Sequence, residues 1–184
     1  MTIDPTPRTW GPDSDTYRSV LGQFCSGVVI VTSGERDTPI GMTVQSFTSL
    51  SLDPPLILFC PAVTSTTWPR VRDTGKFCIN VLGHHHEHLC RQFAVSGGDK
   101  FGAAPWQWST NGNPIIDGCL AYIECTLEAV HDAGDHHIAV GRVHELRLGD
   151  AQRPLLFFRG SFRQLHEGPP LHSADPNSEA LTAS

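Results

Sequence analysis

Four short blocks carry the residues whose types and spacing suit chemistry. The first is Gly41-Met42-Thr43-Val44-Gln45-Ser46-Phe47-Thr48-Ser49-Leu50-Ser51-Leu52-Asp53-Pro54-Pro55, in which hydroxyls and an amide alternate with Met, Val, Phe and Leu. On a strand such alternation sends one set of side chains to each face, so Thr43, Gln45 and their polar neighbours can meet a ligand while Val44 and the other apolar residues fill a core. Alone, the block equally describes a strand with one solvated face. The second block, Thr64-Ser65-Thr66-Thr67-Trp68-Pro69, opens a short helix. Free backbone N–H groups and the positive end of the helix dipole suit a phosphate there; an ordinary N-cap without a ligand is the plainer alternative. Lys100-Phe101, within Gly97-Gly98-Asp99-Lys100-Phe101, adds a cation and a ring to the same ligand, or is simply solvated. The fourth block, Gly134-Asp135-His136, makes a turn between two long strands and sets an imidazole at the strand mouth, where it donates or accepts a hydrogen bond near neutral pH.

Other patterns exclude more than they assign. His84 and His88 have the i, i+4 spacing of a helical chelate, but no Cys or carboxylate with ligand spacing joins them except Glu87, and no metal site is assigned. There is no G-x-G-x-x-G after a strand, no G-x-x-x-x-G-K-[ST] and no G-x-S-x-G, so a dinucleotide or phosphate must be held without a Rossmann or P-loop turn, and nothing points to a hydrolase. Six cysteines form no C-x-x-C pair and are expected to be reduced, buried, small apolar side chains.

The elements that position these blocks follow from periodicity. A helix over Asp13–Cys25 repeats Tyr17, Val20, Leu21 and Phe24 at helical spacing and is expected to pack one face inward. Strands are expected at Gly27–Thr32, Gly41–Phe47 and Pro55–Cys60 as a meander, then at Lys76–Leu82, Leu120–Val130, His136–Leu148 and Pro154–Phe162. Short helices belong at Thr66–Asp73 and His86–Phe93, and Gly97–Gly112 reads as irregular. Many strands with few short helices imply a mostly β fold, an antiparallel barrel closed or partly closed to remove exposed edges. The chain of 184 residues fits one domain over 13–165, between a flexible N-terminus, 1–12, and a disordered tail, 166–184, rich in Gly, Pro, Ser and Ala.

A net charge of -6 argues against sequence-independent nucleic-acid binding, which needs a positive surface. No apolar run approaches the roughly 20 residues of a membrane span, and the polar, proline-rich start lacks the features of a secretory signal, so a cytoplasmic protein is expected.

Taken in order, Phe24-Cys25-Ser26-Gly27-Val28, the Gly41–Pro55 block with its Ser-Leu-Asp-Pro-Pro ending, Asp99-Lys100-Phe101, Gly134-Asp135-His136 and Pro154-Leu155-Leu156-Phe157-Phe158-Arg159-Gly160 resemble the short-chain flavin reductases, the reductase components of two-component flavin-dependent monooxygenases. The match runs from Tyr17 to about Leu165. Leu21-Gly22-Gln23-Phe24-Cys25, Gln45-Ser46-Phe47 and Pro114-Ile115-Ile116 through Tyr122 resemble most the reductases of actinobacterial steroid-ring hydroxylase systems. The resemblance implies a homodimeric FMN-binding split β-barrel of Greek-key type, with FMN or FAD lying beside Thr43, Val44, Gln45 and Ser46. It implies a phosphate near Ser65, Thr66, Thr67, Lys100 and Phe101, and NADH or NADPH received by Gly134, Asp135, His136, Phe158 and Arg159. It further implies an oxygenase partner that takes the reduced flavin and direct hydride transfer with no side chain as nucleophile, His136 orienting the nicotinamide. Many members carry Asn where this chain has Gln45, and no role transfers to His84–His88. Two other functions stay open at this level: a non-catalytic flavin- or haem-binding barrel, and a flavin-dependent oxidase with its own substrate.

Overall fold

The computed structural model describes residues 11–35, 38–102, 104–165 and 168, so nearly all of the expected N-terminal segment and tail lies outside the described residues. Along the chain come α1 (Ser14–Leu21), β1 (Ser26–Gly27), β2 (Val29–Glu35), β3 (Thr38–Val44), β4 (Thr48–Leu52), β5 (Pro55–Phe59), α2 (Trp68–Thr74) and β6 (Lys76–Val81). A 3-10 turn, His84–His86, leads into α3 (Glu87–Ala94), followed by β7 (Trp106–Trp108), β8 (Pro114–Ile116), β9 (Ala121–Ala133), β10 (His136–Leu148), β11 (Leu155–Phe158) and β12 (Ser161–Gln164).

The chain is mostly β because its β-branched runs are buried on both faces. In the Val28–Val31 stretch, Val28 and Ile30 enter one apolar cluster with Leu82, Leu89 and Phe93, while Val29 and Val31 enter another with Phe59, Trp68 and Phe77. Burial on both sides is what a continuous apolar run needs, and it makes β2 an inner strand. The main sheet is antiparallel in the order β3-β2-β6-β9-β10-β5-β4. Its edge strands, β3 and β4, share no ladder, so among the described residues hydrogen bonding does not close the sheet. The expected meander is therefore two hairpins, β2-β3 and β4-β5, at opposite ends of the order. The chain leaves the sheet after Val44, and Gln45 and Ser46 lie between the two edges.

Three further expectations change. Helix α1 forms, with the Asp13 carboxylate accepting from the Asp15 and Thr16 N–H groups, but it buries no residue; Tyr17, Val20 and Leu21, with Phe24 beyond its end, are exposed because nothing among the described residues covers them. The last strand divides into β11 and β12, since Arg159 and Gly160 both take positive φ (50° and 73°) and make a tight turn. Within the stretch read as irregular, β7 pairs with β8. Of the cysteines, Cys78, Cys90, Cys119 and Cys125 are buried, Cys60 is half-buried, and Cys25 is exposed. No helix among the described residues is long and apolar enough to cross a membrane.

Candidate flavin and nicotinamide site

A cavity of about 770 Å³ opens where the end of β3, the loop into α2, the C-terminal end of α3 and the β9-β10 turn converge. Its volume falls in the roughly 300–1,000 Å³ range of small-molecule sites. Thr43, Val44, Gln45 and Ser46 form one wall, Ser65 and Thr67 another, and Lys100 and His136 stand at separate points of the rim. Eight residues singled out from sequence thus meet around one space although they span the chain from position 43 to 136.

Hydrogen bonds show which of these groups are committed to the fold. The Thr43 hydroxyl donates to the Cys90 carbonyl at 2.7 Å and ties β3 to α3. The Ser46 hydroxyl accepts from the Cys60 N–H at 2.9 Å and donates to the Cys60 carbonyl at 3.1 Å, pinning the segment between the sheet edges to the end of β5. Ser65 accepts from the N–H groups of Thr67 and Trp68 at 3.3 and 3.1 Å, so it caps α2 and occupies donors that a phosphate would otherwise use. Gln45 is exposed on the wall.

Lys100 supplies one cation. Its ammonium donates to the carbonyls of Gly41 and Phe93, each at 3.1 Å, which leaves one of its three donors for a ligand. Partial burial, with the nearby Arg70 charge second, holds its pKa below the ordinary lysine value, so a bound anion would relieve both penalties. Phe101 lies behind it, buried at 7% exposure in the core and edge-on to Phe93. Asp99 closes the loop, its Oδ1 accepting from the Phe101 and Gly102 N–H groups at 3.1 and 2.9 Å.

His136 is oriented by its neighbour. The Asp135 Oδ1 lies 2.8 Å from His136 Nδ1, and because a carboxylate only accepts, Nδ1 carries the proton, while the His136 ring lines the cavity. The same hydrogen bond holds the exposed Asp135 carboxyl below the usual carboxylate range. Gly134 takes φ +68°, the left-handed conformation that lets the two-residue turn form. Backbone bonds from Val63 to Asp135 and from His137 to Pro61, both 2.9 Å, lash the turn to the Pro61–Val63 segment.

Gly134, Asp135, Phe158 and Arg159 are not on the wall. Arg159 instead stacks over Phe158 at 4.9 Å and donates to Gln23 at 2.8 Å, joining the β11-β12 turn to the end of α1, while Phe157, Gly160 and Phe162 face the cavity. Thr66 and Phe101 line an adjoining smaller cavity. Residues that sequence reasoning missed include Cys60, Cys90, Arg91 and Phe93. The α3 contribution carries no motif; it follows only from how the amphipathic helix packs across β3. The fit to a flavin is good in kind: Met42, Val44 and Phe93 offer apolar and aromatic surface for a ring system, and Gln45, Thr64, Thr67 and Lys100 offer the polar atoms its edge and phosphate need.

On a mostly antiparallel β scaffold without a Rossmann turn, the cavity brings apolar and aromatic surface together with hydroxyls, an amide, the Lys100 and Arg91 cations and the His136 imidazole. The chain belongs to the flavin reductase family: a family model described as the flavin reductase like domain matches residues 21–166. It is 47% identical over 150 residues to the reductase subunit HsaB of a flavin-dependent monooxygenase from Rhodococcus jostii (strain RHA1), covering 82% of this chain and 77% of that one. It is 40% identical over 151 residues to an NADH-dependent flavin reductase from Rhodococcus sp, covering 80% and 84%. Among solved structures, a homologue of nitrilotriacetate monooxygenase component B from Mycobacterium thermoresistibile superposes with a TM-score of 0.82 at 43% identity, over 89% of this chain and 94% of the other.

Proposed function

We propose that this chain is the NADH-dependent flavin reductase of a two-component monooxygenase, reducing FMN or FAD and passing the reduced flavin to a separate oxygenase, in aromatic or steroid catabolism. The observation that carries the reading is the single cavity in which the Thr43–Ser46 wall, Lys100 and His136 converge. A flavin bound there supplies the hydride-accepting ring. The protein's own task is to hold two ring systems at reacting distance, so positioning and dry apolar walls matter more than any side-chain acid or base.

In this account Val44, Gln45 and Ser46 flank the isoalloxazine, and Lys100 with Thr67 takes the phosphate end, Ser65 holding the turn that presents Thr67. His136, its Nδ1 proton committed to Asp135, offers Nε2 as an acceptor for the carboxamide or a ribose hydroxyl of the nicotinamide. Phe158 and Arg159 act on the same pocket through the placement of Phe157 and Gly160. The working unit is residues 13–165, a split barrel completed as a homodimer in the cytoplasm. Exposed Leu50 and Leu52 on β4 and Leu146 and Leu148 on β10 supply the apolar surface that a second copy would cover.

The His136 role is tested by comparing His136→Ala with wild type in steady-state NADH oxidation and in equilibrium flavin binding. We expect KM for NADH to rise about tenfold, the loss of roughly one hydrogen bond to a bound group, with flavin affinity unchanged. Equal loss of both would contradict the assignment.

A further inference from the structure

The larger cavity holds a second cation that neither the flavin phosphate nor the nicotinamide ring needs. It is Arg91, on α3, which lines the space alongside Phe157, Gly160 and Phe162 of the β11-β12 hairpin. We propose that Arg91 binds the pyrophosphate of NADH, and that through this contact the protein favours a dinucleotide hydride donor over one without phosphate. The proposal rests on the reading of this cavity as the place where flavin and NADH meet.

Position and charge support it together. Glu87 and Arg91 are four apart on a helix, a spacing at which a solvated ion pair is ordinary and contributes little. A second contact sets this arginine apart. Its guanidinium carbon lies 4.8 Å from the centre of the Phe162 ring, and that ring lies 5.3 Å from Phe157, so the charge reaches from α3 onto an aromatic face of the hairpin. Glu87 Oε1 accepts from Arg91 Nε at 3.2 Å and from Nη2 at 2.8 Å. These bonds take two of the five N–H donors of the guanidinium and fix its plane, while the other three are uncommitted among the described residues. Lys100, tied to the carbonyls of Gly41 and Phe93, is braced on β3 and serves the flavin phosphate. Arg91 is braced instead on the hairpin assigned to the nicotinamide nucleotide. Two anionic ligands must share this cavity, and its described wall offers two cations and no carboxylate. In a chain of formal net charge -6 that is a local reversal of sign, which a neutral donor would not need.

The test compares NADH with reduced nicotinamide riboside, which carries the same hydride and ribose but no phosphate, as donors to FMN and to FAD. It uses full-length wild type, Arg91→Lys, Arg91→Gln and Arg91→Glu, each also titrated with both flavins. Arg91 is exposed, so these variants should fold as wild type does, which their melting curves verify. The quantity read is the ratio of kcat/KM for NADH to kcat/KM for the riboside. Wild type should favour NADH by about tenfold or more, an advantage that shrinks as salt is added. Arg91→Gln should cut the ratio by about five- to tenfold, chiefly through KM for NADH, Arg91→Glu further, and Arg91→Lys least. An unchanged ratio in Arg91→Gln would overturn the proposal while leaving flavin reduction intact. A loss of flavin affinity as large as the loss in the ratio would also overturn it, by giving Arg91 to the flavin. Wild type that oxidises neither donor with either flavin would instead remove the reading of the cavity, and this proposal with it.

Discussion

The imidazole of His86, inside the His84–His88 run, is buried in the core rather than set on the surface. Its side chain is only 4% exposed, its Nδ1 lies 3.9 Å from the buried Cys119 sulfur, and the His85 ring sits 4.0 Å away, centre to centre. Burial, with the His85 and His88 charges after it, pulls its pKa from 6.5 to about 4. The folded state therefore keeps His86 neutral where the unfolded chain takes up a proton. Its contribution to stability is intact above about pH 6.5 and is lost as pH falls toward 4, up to about 3 kcal/mol in all. Urea titrations across that window should show wild type losing stability more steeply than His86→Gln; parallel curves would contradict the assignment. The histidine run was conspicuous in sequence, but burial was not legible there, because i, i+4 spacing does not say which side of a turn faces the core.

At the level of elements, one buried amide stitches the sheet to the β7-β8 hairpin. Asn80 on β6 donates to the Ile30 carbonyl at 3.2 Å and to the Thr32 hydroxyl at 2.8 Å, and its oxygen accepts from the Ile116 N–H at 2.9 Å. Thr32 in turn donates to the Pro114 carbonyl. Asn80→Leu strands the Ile116 N–H in an apolar interior and should cost about 1–3 kcal/mol, read as a lower urea midpoint with the slope unchanged; an unaltered midpoint would contradict this network. The strands β2, β5, β6, β9 and β10 were legible because their apolar segments are bounded by turn residues, whereas β3, expected at Gly41–Phe47, runs over Thr38–Val44 because its pairing with β2 carries through Pro39. The β7-β8 pair was not, since three residues around Gln107 carry no period of their own and owe their order to Asn80 and to packing. The strand expected through Pro154–Phe162 hid its turn because Arg159, an ordinary residue, takes φ of 50°. The Thr43–Ser46 wall and the His136 turn were readable as local motifs, whereas Cys90, Arg91 and Phe93 reach the same cavity only through the docking of α3 on β3.

Across the described residues, large apolar side chains stay uncovered on and just beyond α1, on the edge strand β4 and near the end of the inner strand β10, with Val63, Val95 and Leu165 exposed elsewhere. Leu52 and Leu148 are 93% and 87% exposed, and Phe24 is 82% exposed, values that a lone chain in water does not favour. Pairing of two copies through these faces would complete the barrel, and light scattering should give the mass of a dimer for wild type and of a monomer for Leu148→Asp. A monomeric wild type would remove the split-barrel dimer from the account. The central claim lies elsewhere, in two ring systems brought together in one cavity, and it is tested most directly by mixing the protein anaerobically with flavin and NADH and following the flavin absorbance. Bleaching should be accelerated by orders of magnitude over free flavin and should saturate with NADH. Bleaching no faster than in the protein-free control, with flavin confirmed bound, would contradict it.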